Sequence, residues 1–248
     1  AASDVYKRQA QAAMDSGVAS RPIDDMGAYR DKLAQFVYRT SLMMKPVYDR
    51  ARSDKQRVVY AEGEEEVVLQ AVQNVVDDGL AHPILIGRPE VIESRIERLG
   101  LRLKIGENVE VTNINDDPRF NEYWQYYHGL TGRRGVTVAA AKNLMRSRPT
   151  LIAAVMVARG EADAMLTGIV GRFHKKLGYV RSVLPLEPKV TSTSAMTGVI
   201  NQQGVFFFVD THVQEDPTAE QLCEATLQAA YRMKPVSYTH LTLPTILL

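Results

Sequence analysis

The chain has 248 residues, of which 45% are apolar and 24% charged, so it can bury a substantial hydrophobic core. A net charge of only +1 leaves no basic excess for binding nucleic acid. Its single cysteine, Cys223, excludes an internal disulfide and a cysteine-based metal site, and no apolar run reaches the roughly 20 residues that cross a bilayer. These features predict a cytoplasmic protein that binds neither nucleic acid nor membrane.

The two ends of the chain differ in character from the sequence between them. Residues 1–9 and the tail PVSYTHLTLPTILL have no periodicity that connects them to the adjoining segments, and they resemble translated sequencing adaptors. We therefore expect residues 1–9 and 235–248 to be non-native and the natural protein to be longer at both ends. The alternative for the tail is a genuine irregular β segment.

Helices and a linker are predicted ahead of the main body. Apolar residues at helical spacing predict helices over 10–18 and 26–40, and residues 40–52 predict a linker with a short helix.

The main body alternates strands with helices. Strands are predicted over 57–61, 83–87 and 109–114. The intervening helices carry apolar faces formed by Val67, Val68, Ala71, Val72, Val75, Val76, Ile92, Ile96 and Leu99. This order predicts an α/β fold with a parallel sheet and right-handed crossovers.

An aromatic segment, RFNEYWQYYHGL, follows Asp117-Pro118 and predicts a further helix. Its aromatic residues crowd one side: Phe120, Tyr123, Trp124 and Tyr127. We interpret this stripe as packing or a subunit contact rather than a cofactor site. Thr137 then caps a helix over 138–146, and Pro149 starts another.

The late part of the chain predicts a hairpin and a last helix. Two extended runs are joined by a glycine-containing turn, and the five large apolar residues 205–209 predict a fully buried strand. Asp210 follows it, either as a catalytic residue or as a cap of the next turn. The last helix runs to about Met233.

The stretch RGEADAMLTGIVGRFHKKL (159–177) is the best candidate for an anion site. It predicts a short covered strand over 162–166, a glycine turn and a new helix, followed by cationic side chains. Ligands of open α/β sheets bind where strands end and helices begin, and helix N-terminal amides favour anions. The alternative is an ordinary turn with a solvated basic helix face. The sequence contains no P-loop, glycine-rich dinucleotide fingerprint, HExxH or GxSxG motif, and its histidines lack metal-ligand spacing.

Three segments, in this order, resemble the phosphate acetyl/butyryltransferase family: RVVYAEGEEEVVLQA, RGEADAMLTGIVG and VFFFVDTHVQEDPTAEQLCEATLQAA. The linker and the run DPRFNEYWQYYH with RRGVT are similar to the C-terminal phosphotransacetylase-like half of large bacterial NADP-dependent malic enzymes. The resemblance implies that 10–52 is the end of a malic-enzyme half with its linker and 53–234 a partial phosphotransacetylase-like domain. The implied fold is two α/β subdomains with mainly parallel sheets facing a cleft, as in isocitrate and isopropylmalate dehydrogenases, incomplete at the C-terminus.

The resemblance also implies a ligand site without a catalytic residue or a metal. Active transferases resemble GxVHTTxDTLRP in the central loop, where this chain has GIVGRFHKKLGY. Gly171 stands in place of the histidine, Arg172 and Phe173 in place of the two threonines, and Gly178 in place of the arginine. The family's late serine- and aspartate-bearing segment would lie beyond Lys234. The residues expected to bind acetyl-CoA are Thr167, Gly168, Gly171, Arg172, His174, Lys176, Thr191, Ser192 and Asp210.

Three functions are compatible with this resemblance. The first is an acetyl-CoA-responsive regulatory and oligomerisation domain of a malic enzyme, with NADP and a divalent metal bound only by the missing N-terminal half. The second is an active transferase that moves acetyl between CoA and phosphate. The third is a pure assembly module. We expect the working form to be a homo-oligomer.

Overall fold

The computed structural model describes residues 11–18, 44–188, 190–201 and 205–233, together with residues 23, 25, 27 and 29. The segments that we expect to be non-native, and almost all of the helix predicted over 26–40, lie outside the described residues. The described residues divide into two compact units. The first unit comprises Tyr48–Thr193 and Thr218–Glu224, and the second comprises the others. Among the described residues, no helix combines the length and the hydropathy needed to cross a membrane.

A four-stranded parallel sheet organises the first unit, as the alternation of strands and helices predicted. Its strands are β1 (Gln56–Tyr60), β2 (Ala81–Ile86), β3 (Glu110–Thr112) and β4 (Ala164–Leu166). Their order is β3-β2-β1-β4, and Val59 lies opposite both Ile84 and Met165. β4 is therefore an edge strand within the described part of the chain, and β3 is shorter than the predicted run over 109–114.

Between β1 and residue 188, the described residues form six helices: α1 (Glu66–Asp77), α2 (Pro89–Arg98), α3 (Phe120–Thr131), α4 (Val138–Ser147), α5 (Pro149–Ala158) and α6 (Phe173–Val183). A short 3-10 turn, Gly132–Arg134, follows α3, and a helix over 44–53 occupies the predicted linker. The predicted helix starts are confirmed. Pro89 and Pro149 lie in first turns, where a missing N–H is tolerated, and the Thr137 hydroxyl accepts the Ala140 N–H at 3.2 Å.

Hydrophobic clusters cover both faces of the sheet. On one face, α5 packs with Val59, Ile84, Tyr123 and Tyr127, while Phe120 and Trp124 lie against the same cluster. The interpretation of the aromatic stripe as packing is therefore confirmed. On the other face, α1 and α2 pack against alternate strand residues with Val68, Leu69, Val72, Ile92 and Ile96. Val67, predicted to join this face, is instead 61% exposed.

The second unit contains the predicted hairpin. β5 (Met196–Ile200) pairs antiparallel with β6 (Val205–Val209). Helix α7 (Ala219–Met233) contributes its first residues to the first unit and the rest to the second.

Two further burial predictions are wrong. The run over 205–209 is not fully buried, because side chains alternate between the faces of a two-stranded hairpin and leave Phe206 and Phe208 42% and 51% exposed. The strand predicted over 162–166 begins only at Ala164 and is not covered. Leu166 is 54% exposed because β4 lies at the edge of the sheet.

Candidate functional site

A cleft of about 540 Å³ opens where the parallel strands end, entirely within the first unit. The residues that follow β1, β2 and β3 line one side of it, and the loop before α6 lines another. This is the edge at which open α/β sheets bind ligands. The lining residues of this strand-end cleft include Glu62, Arg88, Asn115, Arg148, Thr150, Gly171, Arg172, Lys175, Lys176 and Tyr179.

The strand-end cleft contains eight charged side chains among its lining residues. Its cations are Arg88, Arg148, Arg172, Lys175 and Lys176, and its carboxylates are Glu62, Glu64 and Glu65. Two of the cations are already neutralised, because Arg88 forms a bidentate pair with Glu64 and Lys176 forms an ion pair with Glu62. The hydrogen bonds from Arg88 lower the pKa of Glu64, so this carboxylate is charged at neutral pH.

Three cations remain for a ligand. Arg148 directs Nε to the Tyr179 hydroxyl at 3.1 Å, while Arg172 and Lys175 have no ion-pair partner among the described residues. Arg148 precedes α5, and the other two lie at the start of α6. Because five cations face three carboxylates, the cleft carries a net positive charge, supplied from two elements, which favours a ligand with several anionic oxygens.

The predicted anion-binding loop does hold an anion, and that anion is the chain's own Glu62 carboxylate. The Thr167 hydroxyl donates to Oε1 at 2.9 Å, and the Gly168 N–H lies 3.2 Å from Oε2. Lys176 pairs with the same carboxylate and donates to the Thr167 hydroxyl at 3.0 Å. The side chains of Glu62 and Lys176 are only 11% and 14% exposed, so water competes weakly for these bonds.

Thr191 and Ser192 also bind an internal carboxylate. Thr191 donates to Glu224 from its backbone N at 2.7 Å and from its hydroxyl at 2.6 Å. These bonds, with a further one from Ser192, lower the pKa of Glu224. Neither residue is among the described residues that line the strand-end cleft, so their contact with a ligand stays a prediction.

Asp210 and His174, the remaining predicted residues, are not among the described residues that line the strand-end cleft. Asp210 lies in the second unit, with a left-handed φ of 54°, and its Oδ1 accepts the Val213 N–H at 3.2 Å. It therefore caps the following turn, which was one of its two predicted roles. His174 stacks edge-on against Phe173, with ring centroids 5.4 Å apart, and does not line the strand-end cleft.

Gly171 and Gly178, which the resemblance aligns with a histidine and an arginine, differ in backbone conformation. Gly171 has a φ of +96°, which side chains of L-residues rarely adopt, so the loop itself is adapted to glycine. Gly178 lies inside α6, and no atom is within 4 Å of the position its Cβ would take. The Gly171 backbone therefore disfavours a side chain, whereas a side chain at Gly178 would meet open space.

Sequence reasoning missed part of the site. Arg88 directly follows the buried strand β2, a position that the strand-end rule could have identified. Arg148 lies between two helices and carried no such signal. Sequence reasoning also missed an apolar pocket of about 290 Å³, lined by Tyr60, Glu62, Val67, Val68, Ala71, Leu166, Thr167, Gly168 and Ile169. Among the described residues, no group of three or more His, Cys, Asp or Glu side chains could hold a metal ion.

Residues 42–241 match the family model described as phosphate acetyl/butaryl transferase. The chain belongs to this family. It is also 50% identical over 221 residues to the NADP-dependent malic enzyme of Salmonella typhimurium, covering 89% of this chain and 29% of that protein. The phosphate acetyltransferase of Nitratidesulfovibrio vulgaris is 30% identical over 183 residues, covering 74% of this chain and 25% of that protein.

A solved structure supports the fold of this transferase family. The phosphotransacetylase from Streptococcus pyogenes superposes with a TM-score of 0.70 at 20% identity, covering 77% of this chain and 57% of that one. The chain spans less than a third of the length of the malic enzyme from Salmonella typhimurium. The resemblance to a phosphotransacetylase-like region of malic enzymes, first indicated by sequence motifs, is thereby confirmed.

Proposed function

We propose that this chain is the acetyl-CoA-responsive regulatory and oligomerisation domain of a malic enzyme. The N-terminal half of that enzyme would carry NADP, a divalent metal and the oxidative decarboxylation of malate to pyruvate. One observation carries the proposal. The strand-end cleft keeps Arg148, Arg172 and Lys175 available to an anionic ligand, while the loop beside it lacks the histidine and arginine of the active family pattern.

The charge of the cleft suits a coenzyme A thioester. Its phosphates would bind Arg148 and Arg172, whose guanidinium groups match phosphate oxygens, and Lys175 would add a point charge. Thr150 and Tyr179 supply hydroxyl groups on the same wall. A ligand that contacts α6 and the loop before it can favour one position of this wall, and such differential binding is what allosteric coupling requires.

Ligand binding is a better assignment than acetyl transfer, because Gly171 and Gly178 stand where the family pattern has a histidine and an arginine. Gly178 offers no charged fork at the position where the family pattern has an arginine, and electrostatic catalysis depends on charge at a defined place. Arg172 is a neighbouring cation, but it begins from a different backbone position. The cleft therefore retains the charge to bind a thioester without the group that the pattern places for transfer.

Calorimetric titration with acetyl-CoA tests the proposal directly. We expect saturable binding, weakened about tenfold or more by Arg172→Ala, since a phosphate would lose a charge-assisted hydrogen bond. Arg134→Ala is the matched control, because Arg134 carries the same charge and is absent from the cleft lining. A wild-type chain that binds no acetyl-CoA at millimolar ligand contradicts the proposal.

Regulation requires a second experiment, in a complete enzyme. The matching region of the Salmonella typhimurium malic enzyme would be replaced by this chain, and NADP reduction by malate measured with and without acetyl-CoA. We expect acetyl-CoA to change the rate, and Arg172→Ala to remove that change while preserving the basal rate. A chimera that is active but indifferent to acetyl-CoA rejects the regulatory role.

The second candidate is an active phosphate acetyltransferase, which family membership and the Nitratidesulfovibrio vulgaris relative favour. Its test is the formation of acetyl-CoA from acetyl phosphate and CoA. Turnover that Arg172→Ala abolishes would support this candidate, whereas turnover that the variant leaves unchanged would place the activity elsewhere.

A pure assembly role is the third candidate, supported by the partly exposed Phe120 and Trp124. Trp124 also faces Lys142, whose Nζ lies 4.5 Å from the ring centroid. If this edge of α3 forms a homo-oligomer contact, Trp124→Ala lowers the mass measured by light scattering. An unchanged mass argues against that surface.

A further inference from the structure

A small oxyanion site lies beside the strand-end cleft, and the side chain of Glu62 fills it. Glu62 and Lys176 also line the cleft, whereas Thr167 and Gly168 line the neighbouring apolar pocket. The donors are the Thr167 hydroxyl, the Gly168 N–H and the Lys176 ammonium, all directed at the carboxylate of Glu62. We propose that Glu62 determines the ligand selectivity of the cleft by occupying this site and excluding inorganic phosphate from it.

The three donors have the chemistry of a phosphate site. They combine a hydroxyl, a backbone amide from a glycine turn and a positive charge, at the end of a strand and just before a helix. The Thr150 hydroxyl lies 3.0 Å from that of Thr167 and extends the polar surface toward the cleft. Without Glu62, phosphate oxygens could accept the same hydrogen bonds.

Burial makes this carboxylate hard to replace by solvent. Removing one partner of a buried ion pair leaves an uncompensated charge, which has a strong tendency to recruit another counter-ion. The neighbouring Arg88–Glu64 pair is more accessible to water, because the Arg88 side chain is 48% exposed. The Lys176 ammonium, at 14% exposure, depends more heavily on its partner.

Glu62 would therefore restrict which anions the cleft can bind. Its remaining cations, Arg148, Arg172 and Lys175, are unaffected by Glu62 and would still hold a large anion. A small free phosphate, by contrast, finds the three donors occupied by the Glu62 carboxylate. This inference is independent of acetyl-CoA, so it can succeed or fail separately from the regulatory function.

Titration of inorganic phosphate into the 248-residue chain tests the proposal. We expect Glu62→Ala to bind phosphate at least about tenfold more tightly than the wild-type chain, because charge-assisted hydrogen bonds become available. Lys176→Met added to Glu62→Ala should abolish this gain. Glu65→Ala is the matched control: Glu65 lines the same cleft and carries the same charge, but its carboxylate does not contact the three donors.

Thermal unfolding provides an independent readout. Phosphate, and acetate as a substitute carboxylate, should raise the unfolding midpoint of Glu62→Ala and leave those of the wild type and Glu65→Ala unchanged. If Glu62→Ala does not fold, Glu62→Ser also withdraws the carboxylate from the three donors, keeps a polar side chain, and should show the same shift. Folded Glu62 variants that gain no phosphate affinity, or an equal gain in Glu65→Ala, overturn the proposal.

Discussion

Arg57 binds the carboxylate of Asp163 with three nitrogen atoms. The Arg57 backbone N and the guanidinium Nη2 each lie 2.8 Å from a carboxylate oxygen of Asp163, and Nε lies 3.1 Å from one. The same guanidinium donates to the Gly160 carbonyl at 2.9 Å. Because Arg57 belongs to β1 and Asp163 directly precedes β4, this contact fixes the start of the edge strand whose far end carries the site loop.

The Arg57–Asp163 contact predicts a specific pH dependence. The hydrogen bonds from Arg57 lower the pKa of Asp163 to about 2, below its value of about 4 in an unfolded chain. Its stabilising contribution is therefore complete above about pH 4 and is lost as the pH falls toward about 2. We expect Asp163→Asn to unfold at lower urea concentration than the wild type at neutral pH, with the difference shrinking across that acidic range. A difference that is independent of pH would contradict the assignment.

Tyr123 makes a buried hydrogen bond whose loss should be measurable. Its hydroxyl donates to Glu161 at 2.6 Å, and burial, together with this bond, raises the pKa of Tyr123, so the phenol stays protonated. We expect Tyr123→Phe to lower the free energy of unfolding by about 1–3 kcal/mol in urea titrations. Tyr126→Phe, on the same helix and without a hydrogen bond to its hydroxyl among the described residues, should change it by less than about 0.5 kcal/mol. Equal effects would exclude the Glu161 bond as the cause.

Leu151 tests the packing of the central helix α5. It is fully buried, so Leu151→Ala removes apolar contacts and leaves a cavity, at an expected cost of about 2–5 kcal/mol. Leu130 is 42% exposed, and Leu130→Ala should cost less than about 1 kcal/mol. Denaturant titration of both variants measures the difference, and similar midpoints would mean that α5 is not the core of the unit.

Replacement by alanine should destabilise the chain at Gly171 and stabilise it at Gly178. Gly178→Ala adds a methyl group in open space inside a helix and should stabilise the chain by about 0.5–1 kcal/mol. Gly171→Ala forces an L-residue into a left-handed conformation and should destabilise it by about 1–2 kcal/mol. The measurement is the thermal or urea midpoint of each variant. A stabilising Gly171→Ala would show that the loop adopts another path in solution.

Local patterns were sufficient to predict most of the first unit. The cap of the helix at Thr137 and the periodicity of the aromatic helix α3 can be seen within a few residues. The exposure of Leu166 could not be predicted in this way, because it depends on β4 being at the edge of the sheet. Strand order is decided by contacts between distant segments, and nothing within a single strand specifies it.

The candidate site was likewise predictable only where residues close together in the chain determine it. The chemistry of the Thr167–Gly168 loop was predictable from its glycines and following cations, and the loop does bind an anion. The anion itself was not, because Glu62 lies 105 residues earlier in the chain than Thr167. Arg148 was missed for a related reason, since a cation between two helices becomes a cleft residue only when α5 is placed beneath the strand ends.

Helix α5 limits how the first unit can move. Every residue from Thr150 to Met156 is buried, so this helix packs against apolar neighbours on all of its sides. Turning it about its own axis would disrupt that packing and would bring no polar face to the surface in exchange. A change that passes from the strand-end cleft through α5 must therefore displace this helix as a whole, along its length or sideways, because its buried packing opposes rotation.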